Sequence, residues 1–460
     1  MKIVVLNGSP KGDVSVTMQY VKFIQKKFPQ HELKILNVCQ LIKINESNDK
    51  SFQEIVAAVR SADGVLWAFS LYVFLVHSNY KKFIENIFEN KVEEVFKNKF
   101  AAVLTTSIHF YDHTAHNYMH AICDDLNMKF VGSFSAGMYD LEKAKERERL
   151  ILFANNLFTM ITNNISASPS FKPVRNEPFE YILGNVQTKI DGGDKKILIV
   201  TDALNNQTNL IRMTERFKGS FSKEIEVINL NDIDIKGGCQ GCIKCGYDNI
   251  CAYEGKDGYI EFYNSKIKTA DILIFAGTIK DRYLSSRWKL FFDRSFFNTH
   301  QPSLTGKQIG FIISGPLSQI PNLRQILEAY IELQGANLVD FITNECLDSE
   351  KIDTSIQNFT DRLIRYANQN YIQPSSFLGI GGKKLFRDEM WGNLRFAFQA
   401  DHRYYKSHGV YDFPQYNYRT RITNTIMTLL TKIPSIRKEI YGNRMKEEMI
   451  KPLQKIVEKQ

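Results

Sequence analysis

The chain opens with Met1-Lys-Ile-Val-Val-Leu-Asn-Gly-Ser-Pro-Lys11, an apolar run of strand length that ends in turn residues. Apolar side chains then recur at Met18, Val21, Ile24 and Phe28, which is the spacing of one face of a helix. This stretch therefore predicts a buried strand, a loop and an amphipathic helix, in that order.

Four more apolar runs of strand length follow, and helical stretches separate them. They are Glu32 to Val38, Ala62 to Ser70, Lys99 to Ser107 and Lys129 to Phe134. Buried strands that alternate with helices are typical of a parallel sheet that is covered on both faces. Five such strands predict one doubly wound α/β unit.

The second half of the chain repeats this pattern. The run Lys196 to Val200 aligns with Lys2 to Leu6 at an offset of 194 residues, whereas Thr269 to Thr278 aligns with Ser61 to Ser70 at an offset of 208. The 14 additional residues lie between the first and third strands of the second copy, where a cysteine-rich loop occurs. The repeat predicts a tandem duplication in which only one copy carries that loop.

The loop reads Gly238-Cys-Gln-Gly-Cys-Ile-Lys-Cys-Gly-Tyr-Asp-Asn-Ile-Cys251 and contains four of the seven cysteines, Cys239, Cys242, Cys245 and Cys251. Their spacing, C-x-x-C-x-x-C-x5-C, is typical of metal ligands rather than of disulfides. Thiolates that converge from one short loop suit a 4Fe-4S cluster. A four-cysteine zinc site usually has two well separated C-x-x-C pairs, and zinc or a redox-active thiol group remains the alternative.

These patterns predict four segments: an α/β domain over 1–165, a linker over 166–194, a second α/β domain over 195–346 and a helical extension over 347–460. The net charge of +9 is concentrated at the end of the chain, because residues 351–460 contain 19 Lys and Arg against 10 Asp and Glu. A basic tail could dock nucleic acid, an anionic membrane, an acidic redox protein or a nucleotide phosphate. No nucleic-acid-binding motif accompanies the charge, so we expect no nucleic-acid partner and regard a solvated helical surface as the simpler interpretation. The glycines of 377–387 predict a turn in this extension.

The remaining cysteines, Cys39, Cys123 and Cys346, are scattered and form no disulfide pattern. The sequence has no signal peptide and no apolar run approaching ~20 residues, the length that spans a membrane. Together these features predict a cytoplasmic protein without a transmembrane segment.

Polar residues follow the first, third and fourth strands of the first copy. The first loop offers the hydroxyls of Ser9, Ser15 and Thr17 and the ammonium of Lys11 to one point, where backbone N–H groups also open a helix, and this suits a phosphate. The other two loops, Phe69-Ser-Leu-Tyr-Val-Phe74 and Thr105-Thr-Ser-Ile-His-Phe110, supply amides, hydroxyls and aromatic faces. A flat isoalloxazine ring needs such groups.

Four histidines follow the fourth strand at spacings of 4, 3 and 4 residues, His109, His113, His116 and His120. On a helix this spacing places all four imidazoles on one face. They could form a plain polar face at the mouth of the crevice, contact a flavin as proton donors, or bind a metal. Tyr111 and Asp112 could hydrogen-bond a reduced flavin ring in the same way.

Taken together, these motifs resemble two fused copies of the NAD(P)H-dependent FMN reductase and iron-sulfur flavoprotein family, whose members are flavodoxin-like. The family's Gly-Ser-Pro-Arg phosphate loop corresponds to Gly8-Ser-Pro-Lys11, and its Ser-Pro-x-Tyr flavin loop corresponds to Ser70-Leu-Tyr-Val73, without the proline. The cysteine motif also matches, although Lys256-Asp-Gly258 stands where family members usually carry an acidic pair. The resemblance implies these FMN-binding residues: Ser9, Pro10, Lys11, Ser15, Thr17, Ser70, Leu71, Tyr72, Val73, Thr106, Ser107 and His109.

The second copy lacks the phosphate motif, and its Asp202 opposes a phosphate. The family works as dimers in which the cluster of one subunit faces the flavin of the other, so the chain resembles such a dimer fused end to end. We therefore expect one FMN and one cluster per chain, with His109, Tyr111, Asp112 and His113 as catalytic candidates.

The resemblance implies an FMN-dependent oxidoreductase. The expected donors are NAD(P)H or a small, ferredoxin-like carrier protein, and the expected acceptor is a small molecule or quinone. The alternatives are an NAD(P)H:flavin or quinone reductase without a cluster, and a non-catalytic electron-transfer or redox-sensing flavoprotein. The internal pseudo-dimer could assemble further into a homo-oligomer.

Overall fold

The structure is a computed structural model that describes residues 1–46, 49–165, 167–186 and 188–458. Ser166 and Gln187 of the predicted linker and the last two residues of the predicted extension lie outside the described residues. Residues Met1–His402 form one compact unit, and Arg403–Gln460 form a second.

The five apolar runs of the first copy form one parallel sheet with the strand order β2-β1-β3-β4-β5. Its strands are β1 (Lys2–Asn7), β2 (Glu32–Leu36), β3 (Gly64–Ser70), β4 (Phe100–Ser107) and β5 (Lys129–Gly137). The helices of this half are α1 (Val16–Lys27), α2 (Val38–Leu41), α3 (Asp49–Arg60), α4 (Ser78–Glu89), α5 (Asp112–Asp125) and α6 (Ala144–Thr162). Both faces of the sheet are buried: Ile3 and Val5 pack with Met18 of α1, whereas Val4 and Leu6 pack on the opposite side with Ile55 of α3.

The second sheet has the order β10-β9-β8-β6-β7, which is the order of the first sheet read from its other edge. Its strands are β6 (Ile197–Thr201), β7 (Glu226–Asn229), β8 (Ile272–Thr278), β9 (Gln308–Ser314) and β10 (Asn337–Thr343). The helices of this half are α7 (Thr208–Gly219), α8 (Tyr259–Phe262), α9 (Ser286–Ser295), α10 (Pro321–Leu333) and α11 (Ser349–Gln369). The prediction of two tandem flavodoxin-like α/β units followed by helices is confirmed.

Helix α11 lies within the predicted extension but completes the core of the second sheet. Its Ile356 and Phe359 are fully buried together with Ile199 and Ile274 of the sheet. A Cβ atom at Gly310 of β9 would overlap the Phe359 ring, so the glycine allows the helix to approach closely. The predicted linker contributes Tyr181 to the same core. The predicted segment boundaries remain a prediction. The core of the second α/β domain nevertheless includes residues beyond 346.

The two halves pack through α4 and α9, which carry equivalent residues. The backbone N–H of Ser78 donates to Asp293 Oδ2 at 2.7 Å, and the N–H of Ser286 donates to Glu85 Oε1 at 2.5 Å. Each helix N-terminus is thus capped by a carboxylate of the other helix, which suits its dipole. Because Ser286 and Asp293 lie 208 residues after Ser78 and Glu85, the offset that aligns the third strands also relates these pairs.

The remaining helices are α12 (Phe377–Trp391), α13 (Gln399–Ser407), α14 (Tyr418–Leu430), α15 (Pro434–Glu439) and α16 (Met445–Val457). The turn predicted for 377–387 is wrong, because the glycines of that stretch lie within α12. They permit close packing: a Cβ atom at Gly382 would lie 2.8 Å from both Leu333 and Phe110. Within the described part of the chain, no helix combines the length and apolar character needed to cross a membrane.

Candidate functional site

Three predicted flavin-binding residues meet at the carboxyl ends of the first sheet's central strands. Thr17 Oγ1 lies 2.6 Å from Thr106 Oγ1 and 3.0 Å from Ser70 Oγ. The residues come from the first turn of α1 and from the ends of β3 and β4, and their hydroxyls form one polar cluster. This is the topological switch point, where ligands of open α/β sheets bind.

The loop between β1 and α1 folds tightly over this crevice. Ser15 caps α1, since its Oγ accepts the N–H of Met18 at 3.3 Å. Ser9 is buried and its Oγ accepts the N–H of Lys11 at 3.3 Å, whereas the Lys11 side chain is exposed. Gly12 turns the chain with a φ of +58°. Pro10 is half-buried in the same loop, so the predicted phosphate-binding residues lie together at the start of a helix.

The predicted flavin loop after β3 keeps a defined shape without the family's proline. Tyr72 and Leu75 exchange two backbone hydrogen bonds of 2.9 and 3.0 Å, and Val73 and Phe74 have positive φ values of +35° and +65°. Leu71 attaches the loop to β4 through its N–H, which donates to the carbonyl of Thr106 at 3.3 Å.

His109 and Asp112 form a pair beside the end of β4. His109 Nδ1 lies 3.1 Å from Asp112 Oδ2 and 3.1 Å from Ser135 Oγ. The backbone N–H of His109 donates to Ser107 Oγ at 2.9 Å. The hydrogen bond with Asp112 raises the pKa of His109. Although burial opposes ionisation of Asp112, its hydrogen bonds with His109 and Ser135 lower the pKa of that carboxyl to about 2.

The prediction that four histidines share one helix face is wrong for His109. Helix α5 begins at Asp112, and His109 precedes it with a φ of +63°. The other three have separate partners: His113 Nε2 lies 3.2 Å from Gln325 Nε2, His116 Nε2 lies 2.7 Å from Thr105 Oγ1, and His120 stacks on Phe130 at 3.8 Å.

Tyr111 points toward helix α12. Its hydroxyl donates to the carbonyl of Leu378 at 2.8 Å, and its ring packs on Phe74 and Phe110. Burial raises the pKa of Tyr111. Among the catalytic candidates, Tyr111 therefore has its hydroxyl occupied by a structural contact.

The four cysteines of the loop line one cavity of about 30 Å³. Cys245 is buried, Cys239 and Cys251 are partly buried, and Cys242 is exposed. Burial raises the pKa of Cys239 to about 12, and burial together with the charges of Cys251 and Cys242 raises the pKa of Cys245 to about 12. Over the described ranges, no three His, Cys, Asp or Glu side chains are arranged as a metal-binding group, so the sulfurs share a cavity without forming a ligand set as they stand. The donor chemistry, four soft thiols from one loop, nevertheless suits a cluster or zinc.

The cysteine loop contacts the predicted flavin site of the first domain. A Cβ atom at Gly241, which has a φ of +62°, would overlap the Tyr72 hydroxyl and lie 3.1 Å from Lys11 Cε. His77, which precedes α4, places Nε2 at 2.9 Å from the carbonyl oxygen of Cys239. Its Nδ1 accepts the N–H of Asn79 at 3.1 Å, so Nε2 carries the proton and donates to that carbonyl.

His77 also contacts Cys39, whose Sγ lies 2.9 Å from Nδ1. Sequence reasoning identified neither residue as part of the site. No local signal could have done so, because the pairing of His77 with Cys239 joins residues 162 positions apart.

In the second domain, a buried carboxylate follows the first strand of the sheet. Asp202, which follows β6, is buried and its Oδ2 accepts the hydroxyl of Ser285. Its Oδ1 is buried and has no hydrogen-bond partner among the residues that the structure describes. Burial raises the pKa of Asp202 to about 6. A carboxylate thus lies where the first copy presents its phosphate loop.

The comparisons with known proteins give one family match, which lies in the first domain, and a set of similar solved structures. Residues 1–140 match the family model for NADPH-dependent FMN reductase. No curated protein matches the chain.

Solved structures that are similar include an NADH:FMN oxidoreductase in its apo form, with 18% identity over 37% of this chain and 92% of that chain and a TM-score of 0.30. They also include an NAD(P)H:(acceptor) oxidoreductase from Paracoccus denitrificans, with 18% identity over 34% and 97% and a TM-score of 0.29. An FMN-dependent NADH-azoreductase from Bacillus anthracis in complex with FMN has 14% identity over 36% and 99% and a TM-score of 0.28. The family match over residues 1–140 supports an NAD(P)H-dependent flavin oxidoreductase activity.

Proposed function

We propose that this protein is an FMN-dependent oxidoreductase in which the first domain holds one FMN and the cysteine loop of the second domain holds a 4Fe-4S cluster beside it. The observation that carries the proposal is the contact of Gly241 with Tyr72 and Lys11, two residues predicted to bind the flavin. Electron transfer requires that the two centres lie close together, and this contact brings their binding loops together.

The FMN would bind at the switch point of the first sheet. The N-terminus of α1, the charge of Lys11 and the hydroxyl of Thr17 suit its phosphate. The hydroxyls of Ser70 and Thr106 both hydrogen-bond with the Thr17 hydroxyl and lie 3.4 Å from each other, so they orient it. Asp202 makes the second crevice unsuitable for a phosphate, because a buried carboxylate would face it.

His109 and Asp112 are the proton-holding pair of the proposal. Asp112 accepts from Nδ1 and stabilises the imidazolium, so His109 keeps a proton up to a higher pH than an isolated histidine does. The side chain of His109 is about half exposed, so it can exchange that proton with solvent. His113 and Tyr111 are neighbours of this pair in the chain. We propose that they support the site through their contacts with Gln325 and Leu378 and do not transfer protons themselves.

When bound, FMN and an iron-sulfur cluster together supply the conversion of a two-electron hydride donor into single electrons. We propose NAD(P)H or a small electron-carrier protein as the donor and a small molecule or quinone as the acceptor. Cys239, Cys242, Cys245 and Cys251 would hold the cluster.

The packing of α4 against α9 supports an internal pseudo-dimer. Two equivalent contacts, Ser78 with Asp293 and Ser286 with Glu85, run in opposite directions across the interface. Such reciprocity is what an isologous dimer interface shows. We propose that the chain reproduces within one polypeptide the arrangement of a two-subunit enzyme.

Cofactor analysis of anaerobically purified protein tests the proposal. We expect about one FMN and about four irons per chain. Cys242→Ser should remove iron and retain flavin, whereas Cys346→Ser, a matched change at an exposed cysteine outside the loop, should retain both. Two flavins per chain would refute the division of roles between the domains, and flavin without iron would reduce the proposal to a reductase that lacks a cluster.

A further inference from the structure

The side chain of Arg294 on α9 is held rigidly beside the cysteine loop. It is 1% exposed, and its guanidinium makes a bidentate pair with Asp257 at 2.7 and 2.9 Å. A further N–H donates to the carbonyl of Gly237 at 2.9 Å, and the guanidinium lies 4.1 Å from the centre of the Tyr253 ring. These contacts leave the side chain no freedom to turn toward solvent.

One donor of this guanidinium has no acceptor. Arg294 Nε is buried and makes no hydrogen bond with any part of the chain that the structure describes. A buried donor without a partner is unfavourable, so such groups are rare and call for an explanation. Arg294 lines the same cavity as Cys239, Cys242, Cys245 and Cys251.

The net charge of the Arg294 guanidinium is largely balanced by Asp257, whose side chain is buried beside it. Four thiolates around a metal centre carry net negative charge and accept hydrogen bonds, so the unpartnered Nε–H of Arg294 is the group suited to such a centre. Burial opposes the charged form of Arg294, but pairing with Asp257 and the charge of Cys251 raise its pKa above the ordinary value.

We propose that Arg294 is a positioning residue for the metal–thiolate centre, which its Nε–H stabilises by donating a hydrogen bond to a sulfur of the cavity. The inference rests on the proposed function, since it requires that the four cysteines hold a cluster. A hydrogen bond to sulfur favours the more negative, reduced state of a cluster. Arg294 therefore raises the reduction potential of the cluster.

Redox titration followed by electron paramagnetic resonance tests this role. Arg294→Lys keeps the charge but lacks Nε. We expect the equilibrium constant for reduction of the cluster to fall at least tenfold, which corresponds to a reduction potential about 59 mV lower for one electron. The iron content and the flavin potential should stay the same. Arg324→Lys is the matched control, because Arg324 is half exposed on α10 and pairs with Glu328; it should leave the potential unchanged.

A measurement on the unmodified protein tests the same role even if the Arg294→Lys variant fails to fold. With arginine labelled by 15N, pulsed electron paramagnetic resonance of the reduced cluster should detect a coupled nitrogen. The role of Arg294 would be overturned, without affecting the proposed function, by either of two results. One is iron-loaded protein that shows no such coupling, and the other is a cluster potential that is the same in Arg294→Lys as in the wild type. Wild-type protein that contains no iron would instead refute the proposed function and this inference with it.

Discussion

Asp202 offers the sharpest test of how burial sets the chemistry of the second crevice. Its carboxyl is 5% exposed, and one oxygen accepts the Ser285 hydroxyl while the other has no partner among the described residues. Asparagine has the same shape as a protonated aspartate and cannot ionise. Asp202→Asn should therefore stabilise the protein wherever the wild-type carboxyl would have to carry a charge.

The pKa of Asp202 gives the size and the pH range of the effect. Burial raises this pKa from 3.8 to about 6, a difference that corresponds to about 3 kcal/mol. Below about pH 4 the carboxyl is protonated in both the folded and the unfolded chain, so ionisation costs nothing. Between about pH 4 and pH 6 only the unfolded chain loses the proton, so folding becomes less favourable as the pH rises. Above about pH 6 the full penalty applies.

Urea unfolding of the wild type and of Asp202→Asn at several pH values measures this effect. The free energy of unfolding of the variant should exceed that of the wild type by about 3 kcal/mol at pH 8 and by much less near pH 4.5. Asp361→Asn is the control, since Asp361 is an exposed residue of α11 in the same half of the chain. A difference that is the same at both pH values, or a variant that is less stable at pH 8, would contradict the reasoning.

Three further predictions concern the proposed flavin site and the contact between the halves. Thr17→Val should weaken FMN binding about tenfold, because one hydrogen bond to a charged phosphate is lost; fluorescence titration of the apoprotein measures it, and unchanged affinity would remove Thr17 from the site. Asp293→Asn leaves the ammonium of Lys289 buried without its carboxylate and should lower the free energy of unfolding by about 3–5 kcal/mol in urea; a loss below about 1 kcal/mol would show that water reaches the pair. Gly241→Ala should lower the melting temperature, because its Cβ would overlap the Tyr72 hydroxyl, and adding Tyr72→Phe should recover part of the loss; no recovery would place the strain in the backbone alone.

The sheets could be predicted because burial on both faces leaves a strong local signal. Strand β3 was expected at Ala62 to Ser70 and occurs at Gly64–Ser70. The offset of 208 residues also proved informative beyond the strands, since the paired turns Tyr72 with Leu75 and Lys280 with Tyr283 obey it. The clustering of Thr17, Ser70 and Thr106 followed from topology alone, because parallel strands bring their carboxyl ends to one edge.

Other features depend on contacts between distant residues and leave no local trace. The glycines of α12 have the composition of a turn, but packing against Phe110 and Leu333 selects a helix. His109 belongs to a helical spacing, yet the chain bends at this residue and Asp112 begins the helix. The contact of His77 with the cysteine loop requires both domains to be in place, so neither copy's sequence could reveal it.

The interface between α4 and α9 explains how the two domains, and with them the predicted flavin loop and the cysteine loop, are held in one arrangement. Lys81 with Glu85 and Lys289 with Asp293 form ion pairs within the two helices, all with 2% exposure or less. Buried ion pairs add little stability compared with apolar packing, but they penalise any arrangement that separates them from their partners. A shift of α9 by one turn, about 5.4 Å, would uncap both helix N-termini and leave carboxylates buried without donors. Lys289 also donates to the carbonyl of Tyr72 at 2.9 Å, so the network that fixes the two helices also attaches the loop after β3, which is the predicted flavin loop, to α9.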